Sequence, residues 1–358
     1  MQTNSRISEH ILEARRRLAA GREKLQRQHE SGTPGIQLCA ALTALLDSLI
    51  LDLFNHALAE DSGDPSGEAG DLRNQIALAA YGGYGRCDVA PYSDVDLILL
   101  HEPNQEPRLT GLLRKFTQSI YDVGLELGFS SRTPADACAM AMKDISIFTS
   151  LAECRFLTGN ESIYQRFWDR FQRRTRKRSR VLITEIIKAR REERAQYGET
   201  NYLLEPHLKR SRGGLRDLQF IRWLGFARCG EVDPDNLVRA GLLSREDHQK
   251  TLAAREFLLR LRNELHFHSG KANDVLAKHE QVRIAEHFGF KGTEGVLPVE
   301  QFMREYFRHT SEVRYTAANF AADASLHPGL WGLLEPLASY RIDGDFRIGP
   351  REIGRAHV

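Results

Sequence analysis

Residues Tyr81–Leu100 read Y-G-G-Y-G-R-C-D-V-A-P-Y-S-D-V-D-L-I-L-L. Side chains alternate along an extended chain, so Asp94 and Asp96 share one face of a strand while Val95 and Leu97 take the other. Two carboxylates side by side suit a divalent metal. Upstream, Gln75–Ala80 predicts a short apolar strand running into Gly82-Gly83, where the lack of Cβ atoms lets backbone N–H groups approach a phosphate. Arg86 follows, placed for a charge-assisted contact, and Ser93 adjoins the acidic pair as a further nucleotide-binding candidate. A lone D-x-D pair reads more readily as a solvated strand end. Here the upstream Gly-Gly and the apolar L-I-L-L run that follows favour a metal site.

The arrangement points to nucleotidyl transfer. No G-x-x-x-x-G-K-[ST] segment occurs in the sequence, so phosphate and metal work are not divided as in a P-loop enzyme. In a two-metal displacement, ions about 3.5–4 Å apart clamp the attacking and leaving oxygens. Magnesium needs only one or two carboxylates plus substrate oxygens. Asp94 and Asp96 supply these, and Mg2+ is the expected cofactor.

The chain resembles the DNA polymerase β-like nucleotidyltransferases, whose signature is an apolar residue, G-G or G-S, then a D-x-D strand. The wider match resembles the N-terminal part of the bifunctional [protein-PII] uridylyltransferase/uridylyl-removing family. It rests on G-G-Y-G-R, A-P-Y-S-D-V-D-L, L-E-L-G-F-S-S-R-T from Leu125 and L-E-P-H-L-K-R-S-R-G-G-L-R-D-L-Q from Leu204. L-R-N-E-L-H at Leu261 and V-E-Q-F-M-R-E-Y-F-R at Val299 follow in the same order, so the likeness runs from about residue 35 to about 348. It implies UTP as donor, a tyrosine of the PII signal protein as acceptor, and pyrophosphate as product. It also implies a third carboxylate on a neighbouring strand, for which Glu126 is the candidate. Asp144 is the alternative, although its place before an apolar-periodic stretch suits a helix N-cap. The family usually has glycine where Cys87 stands, histidine at Phe129 and proline at Arg212. If that glycine serves a positive-φ turn, Cys87 carries strain. The hydrolytic HD and ligand-sensing ACT domains of the family do not lie in these residues, so neither uridylyl removal nor glutamine sensing is expected of them.

The 358 residues exceed one typical domain, with 41% hydrophobic and 27% charged residues and a formal charge of +2. That balance gives no nucleic-acid signature. Five cysteines without a C-x-x-C pair suit a reduced compartment. No apolar run long enough for a membrane span and no signal-peptide core is evident, so the expected location is the cytoplasm.

The expected fold is α+β: a small polymerase β-like nucleotidyltransferase core with flanking N-terminal helices and a C-terminal all-helical domain. Residues 1–70 carry helices over Ser8–Gln28 and Gln37–Leu58 and a turn-rich linker from Asp61 to Gly70. Residues 71–165 hold the core, with a helix over Leu109–Val123, a third strand over Leu125–Ser130, and I-S-I-F-T-S-L-A-E-C-R-F-L read as helix. Residues 166–340 form the helical companion. Residues 341–358 begin a downstream region and end in Glu352–Val358, which has no periodicity, resembles translated sequencing-adapter sequence and is set aside.

The block R-R-T-R-K-R-S-R, Arg173–Arg180, lacks interleaved aromatics for base stacking and reads as a solvated helix face, leaving nucleic acid an unexpected partner. In R-S-R-G-G-L-R-D, Gly213-Gly214 predicts a turn before a helix, crowded by Lys209, Arg210, Arg212 and Arg216. Lys209 and Arg216 are candidates for the triphosphate there, with an exposed helix-helix turn as the alternative. Arg216-Asp217 reads as a local ion pair. His266 and His268, two apart on a helix, point in different directions and read as packing. Two rivals remain: a nucleotidyltransferase using ATP or a small acceptor, and a nucleotide-sensing module without chemistry.

Overall fold

The computed structural model describes residues 8–62, 72–198, 200, 202–326, 340–343, 346–348 and 353–355. The expected linker from residue 63 onward lies outside them. Four strands carry the site: β1 (Ile76–Ala80), β2 (Val95–His101), β3 (Leu127–Arg132) and β4 (Arg155–Gly159), ordered β3-β2-β1-β4. β1 runs antiparallel to β2 and β4, and β2 parallel to β3. The I-A-L-A-A of β1 is apolar throughout because helices cover both faces of the sheet. Ile76, Leu78 and Ala80 join one core cluster with Leu97 and Leu99; Ala77 and Ala79 join another with Ile98 and Leu100.

On the first face lie α1 (Glu9–Glu30), α2 (Gly35–Ser62) and, after the one-turn α3 (Gly82–Gly85), α4 (Glu106–Val123). The second face is covered by α5 (Pro134–Ala141), α6 (Ile145–Leu151), α7 (Glu161–Tyr197) and α8 (Leu215–Cys229). α9 (Pro234–Arg239) leads to α10 (Arg245–Ser269), α11 (Lys278–His287) and α12 (Pro298–Ser325), which enclose a third cluster around Leu258, Leu265 and Phe302. The fold is thus α+β, as the sequence reading has it. α7 crosses residue 165 without a break.

Three elements depart from expectation. The stretch read as one helix stops at Leu151, and Arg155–Gly159 becomes β4 on the free edge of β1. Gly159 (φ +100) permits this, since a Cβ there would collide with the Ile76 carbonyl oxygen. Gly35–Glu60 within α2 is long and apolar enough to cross a membrane by length and composition, although Leu38, Leu42, Leu46, Leu49 and Leu53 are spent in the core. The tail set aside for its lack of periodicity contributes β7 (Ile353–Arg355), which pairs with β6 (Phe346–Ile348), itself paired with β5 (Tyr340–Asp343).

Candidate active site

The site grows from the C-terminal end of β1. The chain leaves Ala80, turns through Gly82 at φ +58 and winds α3 before reaching β2. Asp96 projects from β2 toward the second face, opposite Gly128 of β3 in the parallel register. A Cβ at Gly82 would stand 2.8 Å from Asp96 Oδ2, and one at Gly128 would collide with Asp96 Oδ1. The carboxylate therefore sits in a slot that only two glycines leave open. Burial, and then the neighbouring Asp94 carboxylate, raise the Asp96 pKa to about 6. Two acids held in mutual repulsion beside a cavity are what a bound cation relieves, and the pair fits magnesium's small demand for protein ligands.

Neither candidate for a third carboxylate joins them. Glu126 is exposed just before β3, its carbonyl accepting the Val95 N–H (2.9 Å). Asp144 caps α6, Oδ1 accepting from Ser146 Oγ (2.7 Å) and from the backbone N–H of Ser146 (2.7 Å) and Ile147 (3.4 Å), and these hydrogen bonds, the hydroxyl's first, lower its pKa. Among the described residues no group of three His, Cys, Asp or Glu side chains lies close enough to hold a metal.

A polar cavity beside the pair is lined by Gly82, Gly83, Arg86, Ser93, Lys209 and Arg216, together with Arg262 and Trp223. Arg86 lines it, and its guanidinium, expected at a phosphate, pairs with Asp88 (2.7 Å) and Glu153. Lys209 differs. Its half-buried ammonium has no ion-pair partner among the described residues, and burial next to Arg262 and Arg216 pulls its pKa down to about 8. It is a cation held ready for an anion. Arg216 lies over the Trp223 ring and pairs with Glu193 (3.3 Å).

Residues 182–321 match a family model described as GlnD PII-uridylyltransferase. The chain carries a partial GlnD-type domain. It is similar to bifunctional uridylyltransferase/uridylyl-removing enzymes from several bacteria. The Erythrobacter litoralis protein is 33% identical over 313 residues, covering 86% of this chain and 33% of the relative. For Burkholderia vietnamiensis the figures are 32% over 343 residues, 95% and 38%. For Cereibacter sphaeroides they are 38% over 247 residues, 67% and 26%. The chain spans about a third of the length of these relatives.

The loop ahead of Asp94 is gripped by Arg262, which the sequence reading passed over, and by His266, which it took for packing. Arg262 of α10 donates to the Asp88 carbonyl (3.4 Å) and Ser93 Oγ (3.2 Å) and pairs with Asp274 (2.6 Å). One turn on, His266 Nδ1 accepts the Tyr92 N–H (3.3 Å) while Nε2 meets Asp274 (3.2 Å). The signal lay in L-R-N-E-L-H, whose Arg and His are four apart and so share a helix face. Cys87 in the same loop adopts φ 63, the left-handed region where the resembled family has glycine.

The Gly213-Gly214 turn is built differently from its expected reading. Gly213 (φ +79) packs against the Thr310 carbonyl, and its N–H donates to Asp217 Oδ2 (2.7 Å), so a carboxylate of the chain itself fills the start of α8. Asp217 pairs with Arg190 and Arg194 (2.7 Å each), not with Arg216. Arg173, Arg176, Lys177, Arg178 and Arg180 are exposed along α7.

Proposed function

We propose that this chain is the transferase portion of a PII uridylyltransferase, a magnesium-dependent cytoplasmic enzyme moving UMP from UTP to a tyrosine of PII. The observation that carries this reading is the glycine-lined slot holding Asp96 beside Asp94, facing a cavity in which Lys209 has no ion-pair partner among the described residues. Asp94 and Asp96 would hold magnesium, which when bound neutralises charge on the phosphoryl oxygens. Lys209 and Arg216 hold the triphosphate, and the backbone at Gly82 and Gly83 leaves it room. The acceptor oxygen forms a bond to the α-phosphorus, the bond from that phosphorus to the bridging oxygen breaks, and pyrophosphate departs with the electron pair. The phenolic proton passes to water. Positioning and preorganised charge supply the rate enhancement. The relatives named as uridylyltransferases support the donor and reaction.

Transfer of label from each α-phosphate-labelled nucleoside triphosphate to purified PII tests the proposal: label should move from UTP, with magnesium, onto a tyrosine. Transfer from ATP alone, or to a small molecule instead of PII, overturns it. That no group of three acids able to hold a metal occurs among the described residues favours a second reading, a module that binds nucleotide without chemistry. UTP binding with no transfer to any acceptor would establish that reading.

A further inference from the structure

Asp96 lines two cavities. One is the polar cavity described above. The other adjoins it at Asp96 and Ser150, between β3, α5 and α6, with a volume of about 320 Å3 and walls that include Tyr81, Ile98, Ser130, Ile147 and Leu151. Its walls are mainly apolar, with the Tyr81 hydroxyl bonded to Ser130 beside Asp96. Through Arg132 and Met140, which both cavities share, it continues into an open surface groove bordered by Thr133, Asp136 and Lys143.

We propose that this cleft and groove receive the acceptor polypeptide, the ring of its tyrosine lying among Ile98, Ile147 and Leu151 with its hydroxyl directed to Asp96. The inference rests on the transferase reading above and adds the place from which the acceptor enters. In an in-line displacement the attacking oxygen approaches opposite the leaving group. Lys209 and Arg216 line the first cavity alone and mark where pyrophosphate leaves, so the attacking group arrives from the second, which holds neither of them. The continuity with the surface identifies what arrives. A nucleobase needs a pocket of its own size, whereas a tyrosine within a protein loop needs a channel that admits the backbone on either side of it. An apolar chamber with a polar end at Tyr81 and Ser130 matches a phenol, apolar in body and polar at its tip.

The test uses Met140→Trp, which narrows the junction of cleft and groove, and Arg132→Glu, which reverses its charge. Both residues are exposed there, and neither belongs to the metal or triphosphate site. Two affinities are titrated for each variant and the unmodified chain: that for a purified PII protein, and that for a non-hydrolysable UTP analogue with magnesium. Loss of PII affinity by about tenfold or more, with analogue affinity held within about twofold, is the expected result. A loss of analogue affinity instead makes the cleft a nucleobase pocket and overturns the proposal, as does no change in either affinity. An unmodified chain that binds PII but transfers nothing refutes the transferase reading and leaves the cleft to be judged by the same titrations. One that binds no PII overturns both.

Discussion

The chain contains two Gly-Gly turns at helix starts, each beside basic residues, and they do opposite jobs. At Gly82-Gly83 the first glycine stands against Asp96, a carboxylate that faces a cavity. At Gly213-Gly214 the first glycine stands against the Thr310 backbone, and its N–H is already bound by Asp217. One turn keeps its charge open to solvent and ligand; the other closes it with two arginines. The residue types are alike, so the difference lies in what the tertiary structure brings to the start of each helix. A helix N-terminus attracts an anion, and the chain can supply that anion itself.

Exchanging each acid for its amide breaks the comparison most sharply. Asp217→Asn leaves the buried Arg190 and the half-buried Arg194 without their shared carboxylate, and should cost about 3–5 kcal/mol in chemical denaturation. Nucleotide affinity of the folded fraction should hold. Asp96→Asn should do the reverse, lowering transfer by at least roughly 10²-fold, the scale of losing one preorganised electrostatic contributor. Its denaturation midpoint should not fall, because the carboxylate it replaces is desolvated and repelled by Asp94. Gly213→Ala should destabilise by about 2 kcal/mol or more, since a positive φ and a backbone collision act together.

The two half-buried charges set a pH window. Asp96 has a folded pKa of about 6, above its ordinary value, so protonation below that pH removes half of the metal-binding pair and magnesium affinity falls. For stability the sign is opposite: the unfolded chain releases this proton at lower pH, so stability from this group is lost as pH rises from about 4 to about 6. Lys209 loses its charge above about 8, so affinity for the triphosphate should decline on that side. Titrating a UTP analogue with magnesium from pH 5 to 9 checks both limbs. The smallest effect concerns the loop itself. Cys87→Gly should stabilise by about 1 kcal/mol, through relief of the left-handed backbone conformation, as read from the denaturation midpoint.

Much of this was legible from spacing. Alternation along the D-x-D strand and the apolar run of β1 suffice to place Asp94 and Asp96 at a sheet end, and the glycine usual in the resembled family warned of strain at Cys87. β4 was hidden because R-F-L-T-G follows α6 after only a short turn and prolongs its apolar run. Asp217 was misread because Arg216 is its neighbour in sequence, while its partners come from α7 more than twenty residues away. One partner of Arg86 was hidden for the same reason: Glu153 stands 67 residues on. Gly128 as a wall of the Asp96 slot follows only from the strand register. Pattern reaches the chemistry carried within one element, and partner choice between elements needs the fold.

The central claim is that Asp94 and Asp96 together bind a divalent cation with the nucleotide. Its most direct test is a titration with Mn2+ followed by electron paramagnetic resonance, with and without a non-hydrolysable UTP analogue, on the unmodified chain and on Asp94→Asn and Asp96→Asn. The account predicts Mn2+ binding that tightens with the analogue in the unmodified chain and is lost in both variants while their folds persist. Undiminished binding in either variant would contradict it.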